Sequence, residues 1–75
     1  MAKLPVVSGP QAVRAFERAG WQHVRVGSSR HHVLKKQGEP ATLSIPDHHE
    51  LDRGLLRSLI RDARISVEEF LQLLK

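Results

Sequence analysis

The stretch Gly27-Ser28-Ser29-Arg30-His31-His32-Val33-Leu34 brings two hydroxyls, a guanidinium and two imidazoles together at the start of an apolar run. Such groups can hold a phosphate and move a proton beside it. RNA carries its own nucleophile, the ribose 2′-hydroxyl, so a general base of near-neutral pKa suffices to form a cyclic phosphate without a metal. Histidine titrates in that range. The guanidinium of Arg30, or that of Arg25, would steady the charge of the phosphorane, and Ser28 and Ser29 would supply phosphate hydrogen bonds. The competing reading of His31 is an exposed strand histidine with no role. Strand alternation sends His31 and His32 to opposite faces, so only one of them can lie at such a site, and periodicity does not say which.

A second stretch, Leu43-Ser44-Ile45-Pro46-Asp47-His48, ends in a loop histidine that either contacts RNA or a partner or does nothing. The adjacent pairs His31-His32 and His48-His49 raise the question of zinc. Neighbours on a strand point apart, and neither cysteines nor a helical i, i+4 histidine pair is present, so no metal and no cofactor is expected. Arg53, Arg57, Arg61 and Arg64 recur every three or four residues and should form a basic ridge on one helix. That ridge suits RNA backbone contact, docking to an acidic protein, or simple solvation. Lys35 and Lys36 would extend a phosphate track at the end of the second strand.

These side chains must be positioned by a single small domain of 75 residues with a modest core. Cysteine is absent, which rules out disulfides and thiolate metal sites and fits a cytoplasmic protein. No apolar run approaches the roughly 20 residues of a membrane span. Met1-Ala2-Lys3-Leu4-Pro5 lacks the apolar core of a secretory signal. Twelve Lys and Arg face eight Asp and Glu, and eight of the twelve cations are Arg, whose planar fork suits phosphate. This raises the expectation of nucleic acid or an acidic protein as partner. The three aromatics, Phe16, Trp21 and Phe70, read as core residues, which leaves no platform for stacking bases.

Residues 1–7 read as an extended arm. Ser8 with Gln11 forms a capping box opening a helix over about residues 9–19, whose stripe is Ala12, Val13, Phe16 and Ala19. Gly20 ends it in a left-handed conformation. Strands follow at 21–26, 31–36 and 41–45, the last stopped by Pro46, with turns at 27–29 and 37–40 that imply an antiparallel meander. The segment 46–51 reads as polar loop. Asp52 caps a second helix over about 53–63, and Ser66 with Glu69 opens a short third one. The expected architecture is α+β: a two-layer domain, α-β-β-β-α with a short extra C-terminal helix, its helices on one sheet face.

In order and spacing the chain resembles the HicA family of mRNA interferase toxins. The family's opening is present as Leu4-Pro5 and Ser8-Gly9, and its helix end and first strand as Ala19-Gly20-Trp21 and Arg25. Its Gly-Ser-His hallmark is echoed by Ser29-Arg30-His31-His32-Val33-Leu34, and its Val-Pro-x-His by Ile45-Pro46-Asp47-His48. Gly54-Leu55-Leu56-Arg57-Ser58-Leu59-Ile60 and Glu68-Glu69-Phe70-Leu71 complete the match. The resemblance implies a fold similar to a double-stranded-RNA-binding domain. It also implies cleavage of mRNA by an endoribonuclease with one catalytic histidine, and neutralisation by a HicB-type antitoxin. Two positions depart from the family. The glycine before Ser-His is displaced, with one extra residue between Arg25 and His31, and Arg64 stands where a helix-ending glycine is usual. Aligned from the strand side the catalytic histidine is His31, with His32 the alternative; aligned without a gap, Arg30 falls there. Arg30, Ser29 and Ser28 become supporting residues, and Arg25, Lys35, Lys36, His48 and Arg57 candidate RNA contacts. A non-enzymatic module that binds RNA or the antitoxin is the alternative reading.

Overall fold

The computed structural model describes residues 3–75; Met1 and Ala2, at the start of the expected arm, lie outside the described residues. Three helices and three strands follow one another: α1 (Gly9–Arg18), β1 (Gln22–Val26), β2 (His31–Lys35), β3 (Thr42–Pro46), α2 (Arg53–Asp62) and α3 (Val67–Leu73). This is the expected α-β-β-β-α order of a double-stranded-RNA-binding domain, with one short helix added.

Side-chain caps start each helix. The Gln11 N–H donates to Ser8 Oγ at 3.1 Å while the Ser8 N–H donates to Gln11 Oε1 at 2.8 Å. Ser66 and Glu69 repeat the exchange on α3, and Asp52 accepts from the Leu55 N–H on α2. Each satisfies donors that a first turn leaves without partners. Gly20, at φ +99°, turns the chain out of α1 so that the Trp21 N–H reaches back to the Phe16 carbonyl at 3.0 Å. Arg64 makes the corresponding turn after α2 at φ 62°. A left-handed residue with a Cβ costs about 1–2 kcal/mol. Arg64→Gly relieves that cost but also removes the guanidinium 3.5 Å from half-buried Glu39, whose Oε1 has no hydrogen-bond partner, so the net change in urea titration is expected to stay below about 1 kcal/mol.

The sheet is antiparallel, in the order β1-β2-β3. Opposite β2, Ile45 faces His32 and Leu43 faces Leu34, and Leu34, Leu43 and Ile45 are fully buried beneath the helices. Pro46 is the last residue of β3 rather than the stop after it. β3 is an edge strand, where a missing N–H breaks no ladder bond. Phe16, Trp21 and Phe70 are all buried, as expected of core residues, and the Phe16 and Phe70 rings pack tilted with centroids 5.2 Å apart.

The amino-terminal arm takes a larger part than its extended reading suggested. Leu4 and Val7 are core residues. The arm also pairs with the segment after β3, which is less polar than expected because Leu51 is buried there. The Leu51 N–H donates to the Val7 carbonyl and the Gly9 N–H to the His48 carbonyl, each at 2.8 Å. Gly9 is pressed so closely onto this segment that a Cβ would overlap the Pro46 carbonyl oxygen. Gly9→Ala is expected to cost about 1–3 kcal/mol, read as a lowered urea midpoint, because backbone rather than a flexible side chain must give way.

Candidate active site

The helices cover one face of the sheet and leave the other open. Because the side-chain period of a strand is two, His32 and Leu34 point to the core while His31, Val33 and Lys35 point to the open face. β3 contributes Thr42 and Ser44, opposite Lys35 and Val33.

β1 would not follow this pattern without an irregularity. His23 pairs with Leu34, but Arg25 pairs with Val33, so one extra residue, Val24, is bulged between them. In regular alternation His23 and Arg25 would share a face. The bulge moves Arg25 to the open side, beside His31, while His23 stays on the helical side. Re-aiming a side chain in this way is a recurrent use of β-bulges next to functional sites.

The result is a shallow cleft lined by Arg25, Gly27, Ser28, Ser29, His31, Val33 and Ser44. Gly27 forms part of its floor, with the Arg25 guanidinium 3.7 Å from the place a Cβ would take. The turn behind it closes with the Gly27 N–H donating to the His31 carbonyl at 2.6 Å. The connection from β1 to β2 closes in a tight turn, Ser28–Arg30, where Ser29 and Arg30 both hold positive φ, 60° and 57°. Two successive left-handed residues with side chains are strained, and strain of this kind persists where surrounding structure holds it.

His31 Nδ1 lies 3.1 Å from the Ser29 carbonyl oxygen. A carbonyl can only accept, so Nδ1 carries the hydrogen and Nε2 of the neutral ring keeps its lone pair. His31 is half-buried, its ring oriented by its own turn. Arg25 and His31 are thus a cation and a base in one water-accessible cleft, with Ser28, Ser29 and Ser44 around them.

His32 is held elsewhere. Its Nδ1 is 2.9 Å from His23 Nε2, and its Nε2 is 3.4 Å from Asp47 Oδ1, too poorly aligned for a hydrogen bond and otherwise without a partner. An Asp47 carboxylate facing Nε2–H leaves Nδ1 to accept from His23. This cluster joins β1, β2 and the segment after β3, and the Asp47 N–H further donates to the Arg30 carbonyl at 3.1 Å.

The remaining sequence candidates are dispersed. Arg30 is exposed but does not line the cleft; Arg25 does. Lys36 follows Lys35 and so turns to the helical side, where its ammonium donates to the Ala19 carbonyl at 2.9 Å, at the end of α1. His48 is exposed on the loop, its carbonyl engaged with Gly9. Arg53, Arg57, Arg61 and Arg64 are all exposed, as a ridge requires. Arg61 lies 3.6 Å from Asp62 and Arg64 contacts Glu39, whereas Arg53 and Arg57 have no ion-pair partner among the described residues. Ser44, Val33 and Gly27 are the cleft residues that the motif reading did not single out.

A compact α+β domain with one covered sheet face and a polar cleft carrying His31 and Arg25 on the other defines a small domain able to engage phosphate. A family model described as the HicA toxin of bacterial toxin–antitoxin systems matches residues 9–65. The chain belongs to the HicA toxin family, and its counterpart is accordingly an antitoxin. No curated protein matches the chain. Among the described residues no helix is long and apolar enough to cross a membrane.

Proposed function

We propose that this toxin is a metal-independent endoribonuclease that cleaves mRNA in the cytoplasm, with His31 as its catalytic base, and that a HicB-type antitoxin neutralises it. One observation carries the reading: the Nε2 lone pair of His31 is available in the same open cleft as the Arg25 guanidinium. In this scheme Nε2 takes the proton of a ribose 2′-hydroxyl. The 2′-oxygen attacks the adjacent phosphorus, the bond from phosphorus to the 5′-oxygen breaks, and the 5′-oxygen takes up a proton from water in the open cleft. The products are a 2′,3′-cyclic phosphate and a 5′-hydroxyl. Arg25 meets the charge that builds on the phosphoryl oxygens, while Ser28 and Ser29 orient the phosphate. His32, turned to the helical side and joined to His23, is assigned no proton transfer.

The purified protein is expected to fragment unstructured RNA in the presence of a chelator. Salt-sensitive binding with no fragmentation would instead favour a non-enzymatic RNA-binding module. Binding confined to the antitoxin would leave a protein-interaction domain.

A further inference from the structure

The open face of the sheet continues past the cleft, and its pattern is regular. Two cross-strand rows span it. The first is Arg25–Val33–Ser44, beside His31, and the second is Gln22–Lys35–Thr42. Each row has a polar residue on β1 and a hydroxyl on β3, and each holds one cation. Apart from half-buried Val33, all of these residues are exposed. Strand geometry sets such rows about 7 Å apart, close to the spacing of successive phosphates along a single nucleic-acid strand. None of the fifteen residues of the three strands is acidic, so nothing on this face repels a polyanion. Nor does the face carry a phenylalanine, tyrosine or tryptophan side chain, since Phe16, Trp21 and Phe70 are all in the core.

We propose that the open sheet face is a track for one RNA strand, held through its phosphates and riboses along β2. The scissile phosphate sits over the Arg25–Val33–Ser44 row, and a neighbouring phosphate sits over Lys35 and Thr42. Ser44 and Thr42 are substrate-contacting residues in this arrangement. The inference rests on the catalytic reading of His31 for the direction of the track. Two consequences follow from the composition of the face. With no phenyl, phenol or indole ring to stack on, the face lacks a stacking platform for successive bases, and binding is tolerant of sequence. A single strand is preferred to a duplex, whose width would carry the second strand off a three-stranded sheet.

The test is binding of the full chain to a short unstructured oligonucleotide of 2′-fluoro RNA, which has no ribose nucleophile and so reports binding whether or not the protein cleaves. Lys35→Gln is expected to weaken binding about ten-fold at low salt and to reduce the salt slope by about one, as loss of one phosphate contact should. Lys35→Arg should restore both. Thr42→Val is expected to weaken binding about three-fold, as loss of one modest hydrogen bond should. Arg14→Gln, exposed on α1 away from the open face, should leave the affinity within about two-fold. Unchanged affinity in Lys35→Gln, with loss in Arg57→Gln or tighter binding of a duplex, would place the RNA on the helices and overturn the proposal. Absence of RNA binding, with Lys35→Gln instead weakening an acidic protein partner, would overturn it in favour of a protein-docking face. Should the chain prove unable to cleave yet show the Lys35 dependence, the catalytic proposal fails and the track stands.

Discussion

Replacing His31 with alanine is expected to reduce RNA cleavage by about 10²–10⁴-fold, the contribution of one well-placed general base. The half-buried imidazole makes a single hydrogen bond, to the carbonyl of Ser29 within its own turn. Its removal should therefore leave the helical content and the urea midpoint close to those of the parent protein. The control is the neighbouring residue. His32→Ala removes the contacts to His23 and Asp47 on the helical side of the sheet, so it should lower stability more than His31→Ala and cleavage far less. The two adjacent substitutions thus separate chemistry from packing in opposite directions, measured by initial cleavage rate and by denaturant midpoint on the same preparations.

Arg25→Ala should have the second-largest effect, a loss of about 10²–10³-fold in cleavage, comparable to deletion of one preorganised donor to a transition-state anion. Arg30→Ala should fall by less than about ten-fold, because its side chain does not line the cleft. Motif spacing ranks the two arginines the other way, since Arg30 directly precedes the histidine. The difference lies in the bulge at Val24, which turns Arg25 to the open face. Deleting Val24 removes the extra residue but keeps Arg25 opposite Val33 on the open face, so cleavage should persist within about ten-fold.

That bulge marks the limit of what could be read from the chain alone. The capping boxes at Ser8 and Ser66, the cap at Asp52 and the left-handed Gly20 are local chemistry, and each was legible because its partner lies three residues away or it depends on one residue's φ. The opposite orientations of His31 and His32 followed from period two. The membership of the cleft did not, because it depends on registers between strands. Ser44 stands in the alternating run Thr42-Leu43-Ser44-Ile45, which places it on the outer face, but only the pairing of Val33 with Ser44 sets it beside Arg25. Lys36 looked continuous with Lys35, yet the strand ends between them and the Lys36 ammonium turns back to the Ala19 carbonyl. The burial of Leu4 and Val7 was hidden for a related reason: an arm without periodicity gives no sign of what it packs against.

The turn between Arg25 and His31 bears on the site through the backbone. Ser29 and Arg30 take left-handed conformations there, while the strand register of His31 is fixed by Leu34 against Leu43 beneath the helices. A strained turn thus carries the Ser29 carbonyl that orients the imidazole.

The most direct test of the central claim, that His31 draws a proton from ribose so that RNA attacks itself, is the chemistry of the 3′ ends released by the purified protein in excess chelator. The account predicts 2′,3′-cyclic phosphate on the upstream fragments and 5′-hydroxyl on the downstream ones. Upstream fragments ending in a free 3′-hydroxyl, the mark of water rather than ribose as nucleophile, would contradict it.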